Sequence, residues 1–246
     1  MGKIIAISNH KGGVGKTTSA LNIGAGLALK GIRTLLVDLD PQANLSISLG
    51  IEDPERSIYH AIRDQEPPVV VPIRKNLDLA PSSLDLIRAE VTLRNRQPVV
   101  TDPETIQKIL QPIRDQYQAI ILDCPPSLGN LTISGLIAAD LIMVPIEAEY
   151  LALKGYRILS DTIKDIGLTV DRVFITKYDN RKTLNRTVME TIRAALGKDA
   201  FKTVIRSNVT LAEAPIHQKT IYEYSPNSHG AKDYGDLVQE IIKLIK

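Results

Sequence analysis

Apolar residues fall along the chain in two alternating patterns. The first is a short, nearly continuous run, found at 3–8, 33–38, 76–80, 118–123, 140–145 and 170–176. Such runs suit strands buried on both faces, as in a parallel sheet covered by helices. The second spaces apolar residues three or four positions apart and predicts helices. These fall at 19–30 (Leu21, Ile23, Leu27 and Leu29 among Ala and Gly), 57–64, 83–94 and 234–246. A further helix is expected to open at Asp102, with Pro103 in its first turn, where a missing N–H loses no bond. Residues 67–68 and 95–98 punctuate the chain as exposed connections. Strand–helix alternation predicts one α/β domain over 1–246: a single doubly wound, mainly parallel sheet with helices on both faces. In such sheets the ligand sits at the C-terminal ends of the strands.

Composition narrows this little. Of 246 residues, 43% are hydrophobic and 24% charged, enough for a sizeable core and a polar surface. Cys124 is the single cysteine, so an intrachain disulfide is excluded and a small buried filler is expected. No apolar run reaches the roughly 18 residues of a membrane span, and no signal peptide is evident, so a cytoplasmic location is expected.

The chemistry concentrates where three runs end. The first leads into Asn9-His10-Lys11-Gly12-Gly13-Val14-Gly15-Lys16-Thr17-Thr18 and then a helix. Strand, glycine-rich loop, Gly-Lys-Thr and helix are the context of a phosphate-binding P-loop. Gly12, Gly13 and Gly15 are expected to supply backbone conformations that turn successive N–H groups, Val14 and Thr18 included, onto an anion. The helix N-terminus adds partial positive charge, Lys16 a full one for the β- and γ-phosphates, and the Thr17 hydroxyl a ligand for Mg²⁺. The second run ends in Asp38-Leu39-Asp40 and the third in Asp123. Carboxylates there stand at the ligand end of the sheet, and a strand-terminal Asp123 suits holding a Mg²⁺-bound water.

KGGVGKTT resembles the deviant Walker box of the ParA/MinD class, DLDPQAN its switch I and DCPPSLGNLT its switch II. With EYLAL, KTVIRSNVTLAEAP and SPNSHGAKDYGDL, the resemblance to ParA/Soj partition ATPases covers nearly the whole chain. It implies a P-loop ATPase using ATP and Mg²⁺, slow unless a partner stimulates it. It implies that Lys11 reaches across an ATP-bound homodimer to the partner's nucleotide and joins Lys16 and Asp40 in the catalytic set. Asp40 would orient the attacking water, and Asp38 would support Mg²⁺ with Thr17, Asp40 and Asp123. Thr176, Lys177, Arg206, Ser207 and Asn208 align with the loops that hold the base. Glu149 aligns with a glutamate that touches ribose, although a helix-start carboxylate reads the same way. Two departures stand out: Ser134 where the family usually has Asn, and Arg206 where many relatives have Pro.

Net charge is only +2, but residues 172–219 carry ten Lys/Arg against four Asp/Glu. Arg181, Lys182 and Arg186 cluster at an expected helix start. Such a patch binds duplex phosphates without reading sequence, or is an ordinary solvated face. By resemblance the partners are duplex DNA, hence the nucleoid, and a ParB-like or other cargo adaptor. Positioning a protein cluster or microcompartment fits the same residues. A MinD-like membrane cycle would need a lipid-lying C-terminal helix; 234–246 has the apolar spacing, but Asp236 and Glu240 favour a docked helix and no membrane contact. A dimer-bridging iron–sulfur cluster takes two cysteines from each chain, which Cys124 alone cannot supply.

Overall fold

The computed structural model describes residues 1–91 and 102–245. In chain order the strands are β1 (Lys3–Ile7), β2 (Thr34–Asp38), β3 (Val71–Arg74), β4 (Leu77–Ala80), β5 (Ala119–Asp123), β6 (Leu141–Glu147), β7 (Arg172–Tyr178) and β8 (Ala200–Arg206). The helices are α1 (Lys16–Leu29), α2 (Asn44–Ser48), α3 (Ile58–Asp64), α4 (Leu86–Val91), α5 (Thr105–Leu110), α6 (Asn130–Ala138), α7 (Ala152–Asp165), α8 (Thr183–Leu196), α9 (Thr210–Glu213), α10 (Ile221–Tyr224) and α11 (His229–Ile245). The strands form one sheet in the order β3-β4-β2-β5-β1-β6-β7-β8, parallel except for β3 against β4.

The expected strands are all present, because the central runs are buried on every residue: β2 and β5 are closed throughout. The sheet extends past them at both edges. β3 alternates between partly buried and exposed positions and β8 is fully buried only at Phe201 and Ile205, so neither produces a continuous apolar run. Pro72 sits on the edge strand β3, where a missing N–H is tolerated. The helix expected at Asp102 is assigned from Thr105; the Asp102 carboxylate instead accepts from the Glu104 N–H, capping the turn before it. The connection expected at 95–98, and the end of the 83–94 helix, lie outside the described residues.

Helices cover both faces. On one, α1 and α11 bury Leu21, Leu27, Tyr234, Leu237 and Ile241 against Ile5, Leu36 and Phe174. On the other, α3, α5, α6, α7 and α8 bury Ile62, Ile106, Leu131, Leu159 and Ile192 against Ile4, Val37 and Leu122. The final helix is therefore docked by its apolar stripe. No described helix is long and apolar enough to cross a membrane.

Topology then places the site. From β1 the chain runs to β2 on one side, yet β6 flanks β1 on the other. The winding reverses at β1, and the crevice beyond its C-terminal end is where such sheets bind ligands.

Candidate nucleotide site

The loop after β1 is shaped by two glycines. Gly13 (φ +74°) and Gly15 (φ +90°) take left-handed backbone conformations that a side chain would strain, and Gly15 directly precedes α1. Gly12 is different: its φ is ordinary and an added Cβ would meet nothing within 4 Å, so the backbone freedom expected there is not needed. Asn9 braces the loop, donating to the Pro145 carbonyl (2.7 Å) and accepting from the Lys11 N–H (3.0 Å).

Lys16 lies 7% exposed in the floor of this loop, its ammonium 3.1 Å from the Lys11 carbonyl. Burial lowers its pKa, against the opposing pull of the Asp123 and Asp40 charges. Strand register sets the carboxylates: Asp38 of β2 pairs directly with Asp123 of β5, and Ile7, the last residue of β1, pairs with Asp123 on the other side. Both aspartates are fully closed to solvent. Burial pushes the pKa of each upward, and for Asp123 the Asp38 charge adds to it.

The two differ in what satisfies them. Asp38 accepts from the Ser46 N–H (2.9 Å) and hydroxyl (2.7 Å) and from the Asp40 N–H (3.1 Å). Neither carboxylate oxygen of Asp123 has a well-formed hydrogen bond; the Thr17 hydroxyl and Lys16 beside it only partly offset its burial. Buried unmet acceptors beside a phosphate loop fit a Mg²⁺ ion with its waters. Among the described residues no cluster of three or more His, Cys, Asp or Glu would hold a metal by itself. Thr17, Asp38, Asp40 and Asp123 are the residues that could hold a Mg²⁺ ion arriving with phosphate oxygens.

Asp40 is 8% exposed; its carboxylate accepts from the Gln42 N–H (2.9 Å), and its carbonyl accepts from the Ser82 hydroxyl (2.8 Å). Ser46 and Ser82, which the sequence reading missed, knit this segment together, the Ser82 N–H donating to Ser46 Oγ at 2.9 Å. Short hydroxyl residues in a loop and a five-residue helix carry no signal that would have marked them.

A cleft of about 470 Å³ runs over Gly13, Lys16, Thr17, Asp40 and Gln42. It shares Gly15, Thr18, Leu211 and Ala212 with a second of about 200 Å³ lined by Thr176, Lys177, Arg206, Ser207 and Asn208. The predicted phosphate and base residues are brought together in two adjoining spaces. Thr176 donates to the Val14 carbonyl (2.9 Å). Lys177 sits at an irregularity of β7 with φ +51°, and its ammonium turns to Glu147 (3.6 Å). Arg206 is tied to Asp233.

Lys11 lies outside the floor, its side chain 44% exposed, ion-paired with Glu149 and 3.4 Å from Glu147. The Glu149 hydrogen bond raises its pKa. Ser134 is buried, its hydroxyl accepting from the Ile106 N–H at the start of α5 (3.0 Å), so it braces two helices within the chain. Cys124 is buried and its thiol pushed up, as a core filler.

Of the basic trio, Arg181 is spent locally: it chelates Asp179 (2.9 Å on each oxygen) and holds that carboxyl down at about 2. Arg186 reaches the Asn180 carbonyl (3.3 Å), and Lys182 is exposed without an ion-pair partner among the described residues.

A phosphate loop at the switch point of a doubly wound sheet, above paired strand-end aspartates, defines a P-loop nucleotide-binding protein. The model of the AAA domain family matches residues 2–176. The sporulation initiation inhibitor protein Soj of Bacillus subtilis is 42% identical, covering 98% of both chains. The chromosome-partitioning ATPase Soj of Treponema pallidum is 41% identical, again over 98% of each. Among solved structures, cobyrinic acid a,c-diamide synthase of Mycobacterium smegmatis with bound ADP and magnesium superimposes with a TM-score of 0.82, at 31% identity over 99% of this chain and 95% of that one. The chain belongs to the ParA/Soj family of P-loop ATPases.

Proposed function

We propose that this chain is an ATP-dependent positioning device that dimerises with ATP, binds duplex DNA without sequence preference and distributes plasmid or chromosome cargo through a ParB-like adaptor. The observation that carries this reading is the division of labour within one loop. Lys16 is buried against the floor, whereas Lys11 stands exposed on the rim with only surface carboxylates for partners. A nucleotide matched by Lys16 leaves the rim lysine free for a nucleotide held by a second copy.

In this mechanism, loop N–H groups and Lys16 cradle the β- and γ-phosphates, and Asp40 orients a water toward the γ-phosphate. Mg²⁺, when bound, neutralises charge developing on the phosphate oxygens. Lys11 of a partner copy completes each site, so hydrolysis is slow until the dimer forms and the adaptor acts. Thr176, Lys177, Arg206 and Asn208 wall the base, and Glu149 reaches ribose from the rim. The whole of 1–246 acts as one ATPase domain.

DNA enters through the basic region. One patch touches few phosphates, so two patches on a dimer make binding ATP-dependent. The test is a pull-down on random-sequence duplex with ATP or ADP at two salt concentrations. Retention should need ATP and fall steeply with salt, by a log–log slope of about −0.9 per phosphate neutralised. Reversing Arg181, Lys182 and Arg186 to Glu should abolish it while ATP-driven dimerisation survives. Binding indifferent to nucleotide and salt rejects the reading; binding to lipid vesicles would favour a membrane cycle.

A further inference from the structure

Beside the phosphate cradle, the base side of the cleft holds an ion pair whose acid is buried. Asp233 of α11 is 5% exposed and spends its carboxylate on one residue, Arg206 at the end of β8. It accepts the Arg206 backbone N–H at 3.0 Å. It also accepts the guanidinium, with Nε at 2.9 Å and Nη2 at 2.5 Å. Main chain and side chain of one residue are thereby fixed by the same buried anion. A bidentate fork holds a guanidinium to one plane, and breaking it would strand a buried charge. Arg181 makes the same set of bonds to Asp179 on the surface, but that arginine side chain is 86% exposed and far more open to water than Arg206.

Arg206 nonetheless keeps a third of its side chain exposed (33%), and it lines the cleft with Thr176, Ser207, Asn208 and Leu211. The residue after Asp233 reinforces the arrangement. Tyr234 is 1% exposed, lines the same cleft and shares a 2.9 Å hydrogen bond with Ser19 of α1, the helix that begins with Lys16 and Thr17. The wall that carries Arg206 and the helix that carries the phosphate lysine are therefore pinned to one segment of α11.

A planar cation fixed at the wall of a cleft can serve as a stacking surface for an aromatic ring. We infer that Asp233 is a positioning residue for the nucleotide base: it locks Arg206 as a platform on which a purine stacks, making the site select purine over pyrimidine nucleotides. This rests on the nucleotide reading above and names how its base is chosen. Stacking tolerates any ring with a broad face, so the pair separates purines from pyrimidines and does not itself tell adenine from guanine.

Isothermal titration calorimetry with Mg-ATP, Mg-CTP and Mg-tripolyphosphate tests it, because tripolyphosphate reports the cradle without the base. Wild type should prefer ATP to CTP by about fivefold, the part of a stack worth roughly 1–3 kcal/mol that the smaller cytosine ring forfeits. In Asp233→Asn and in Arg206→Lys, which keeps the charge but not the planar fork, that ratio should fall to about twofold, with tripolyphosphate affinity unchanged. If a single variant fails to fold, the double variant Arg206→Val, Asp233→Val removes the pair without leaving a buried charge, and the same loss of preference is expected. An ATP-to-CTP ratio that survives in folded variants makes the pair purely structural and overturns the inference. A wild type that binds none of the three compounds instead overturns the nucleotide reading itself.

Discussion

The floor and the rim of the P-loop are built from the same residue types and end in opposite states. In the floor, Lys16, Asp38 and Asp123 are nearly or wholly closed to water, and burial works against the charge of each. Neither carboxylate oxygen of Asp123 has a well-formed hydrogen bond. On the rim, Lys11, Lys177, Glu147 and Glu149 remain partly exposed and neutralise one another, so that Lys11 holds its proton more tightly than usual. A floor with unmet acceptors gains most from a ligand bringing cations and phosphate. A rim already satisfied gains little from one, and can only exchange partners. On the proposed reading, binding belongs to the floor and switching to the rim.

The largest expected effect tests the floor. Lys16→Ala removes the buried positive charge in the floor of the cradle, while Asp38, Asp40 and Asp123 stay. ATP binding should be lost, by a factor of at least a hundred in Kd, since charge-assisted phosphate contacts are among the strongest hydrogen bonds and their loss here is uncompensated. Calorimetry with Mg-ATP reads it; near-normal affinity would place the phosphates elsewhere.

Asp40 should separate binding from turnover. Its carboxylate caps Gln42, so Asp40→Asn preserves the turn, whereas Asp40→Ala removes the group proposed to aim the water. Asp40→Ala should keep ATP affinity within a few-fold yet slow hydrolysis by two or more orders of magnitude, the scale on which water-positioning groups act. ATPase within about twofold of wild type would assign that role to another residue.

Floor and rim also differ in how far sequence reveals them. The floor is written locally: run-ending aspartates and the Gly-Lys-Thr loop were legible because buried strands leave unbroken apolar runs and P-loop chemistry is contiguous. The edge strands β3 and β8 were not, because half-exposed strands lack that run, and β3 carries a proline. Nor were the groups that orient the site. Ser46 on Asp38, Ser82 on Asp40 and Asp233 on Arg206 are separated in sequence by 8, 42 and 27 residues. Only the sheet and its helices bring them together. Gly12 illustrates the opposite error: a motif glycine whose position demands no glycine conformation.

Lys11→Ala tests the rim directly. The floor does not need this side chain, so the variant should bind ATP as a monomer with Kd within a few-fold of wild type. Sedimentation should find no ATP-dependent dimer at concentrations where wild type is dimeric. Loss of all nucleotide binding would return Lys11 to the floor as an ordinary ligand of its own site.

The smallest effect is the most discriminating, because its sign decides. If the rim carboxylates hold Lys11 at home before it crosses to a partner, removing one of them should favour the dimer. Glu149→Gln abolishes the charge yet leaves an amide that can still hydrogen-bond a ribose, so the two roles open to Glu149 pull apart. Lys11 and Glu149 are each 44% exposed, and exposed pairs are worth only about 0.2–1 kcal/mol. Glu147 remains to hold Lys11 at 3.4 Å, which limits the gain further. The expected result is ATP-dependent dimerisation at two- to fivefold lower protein concentration, measured by sedimentation in an Asp40→Ala background so that hydrolysis does not drain the dimer. A weaker dimer would mean that Glu149 acts within the assembled interface, and that the rim is a docking surface without a latch.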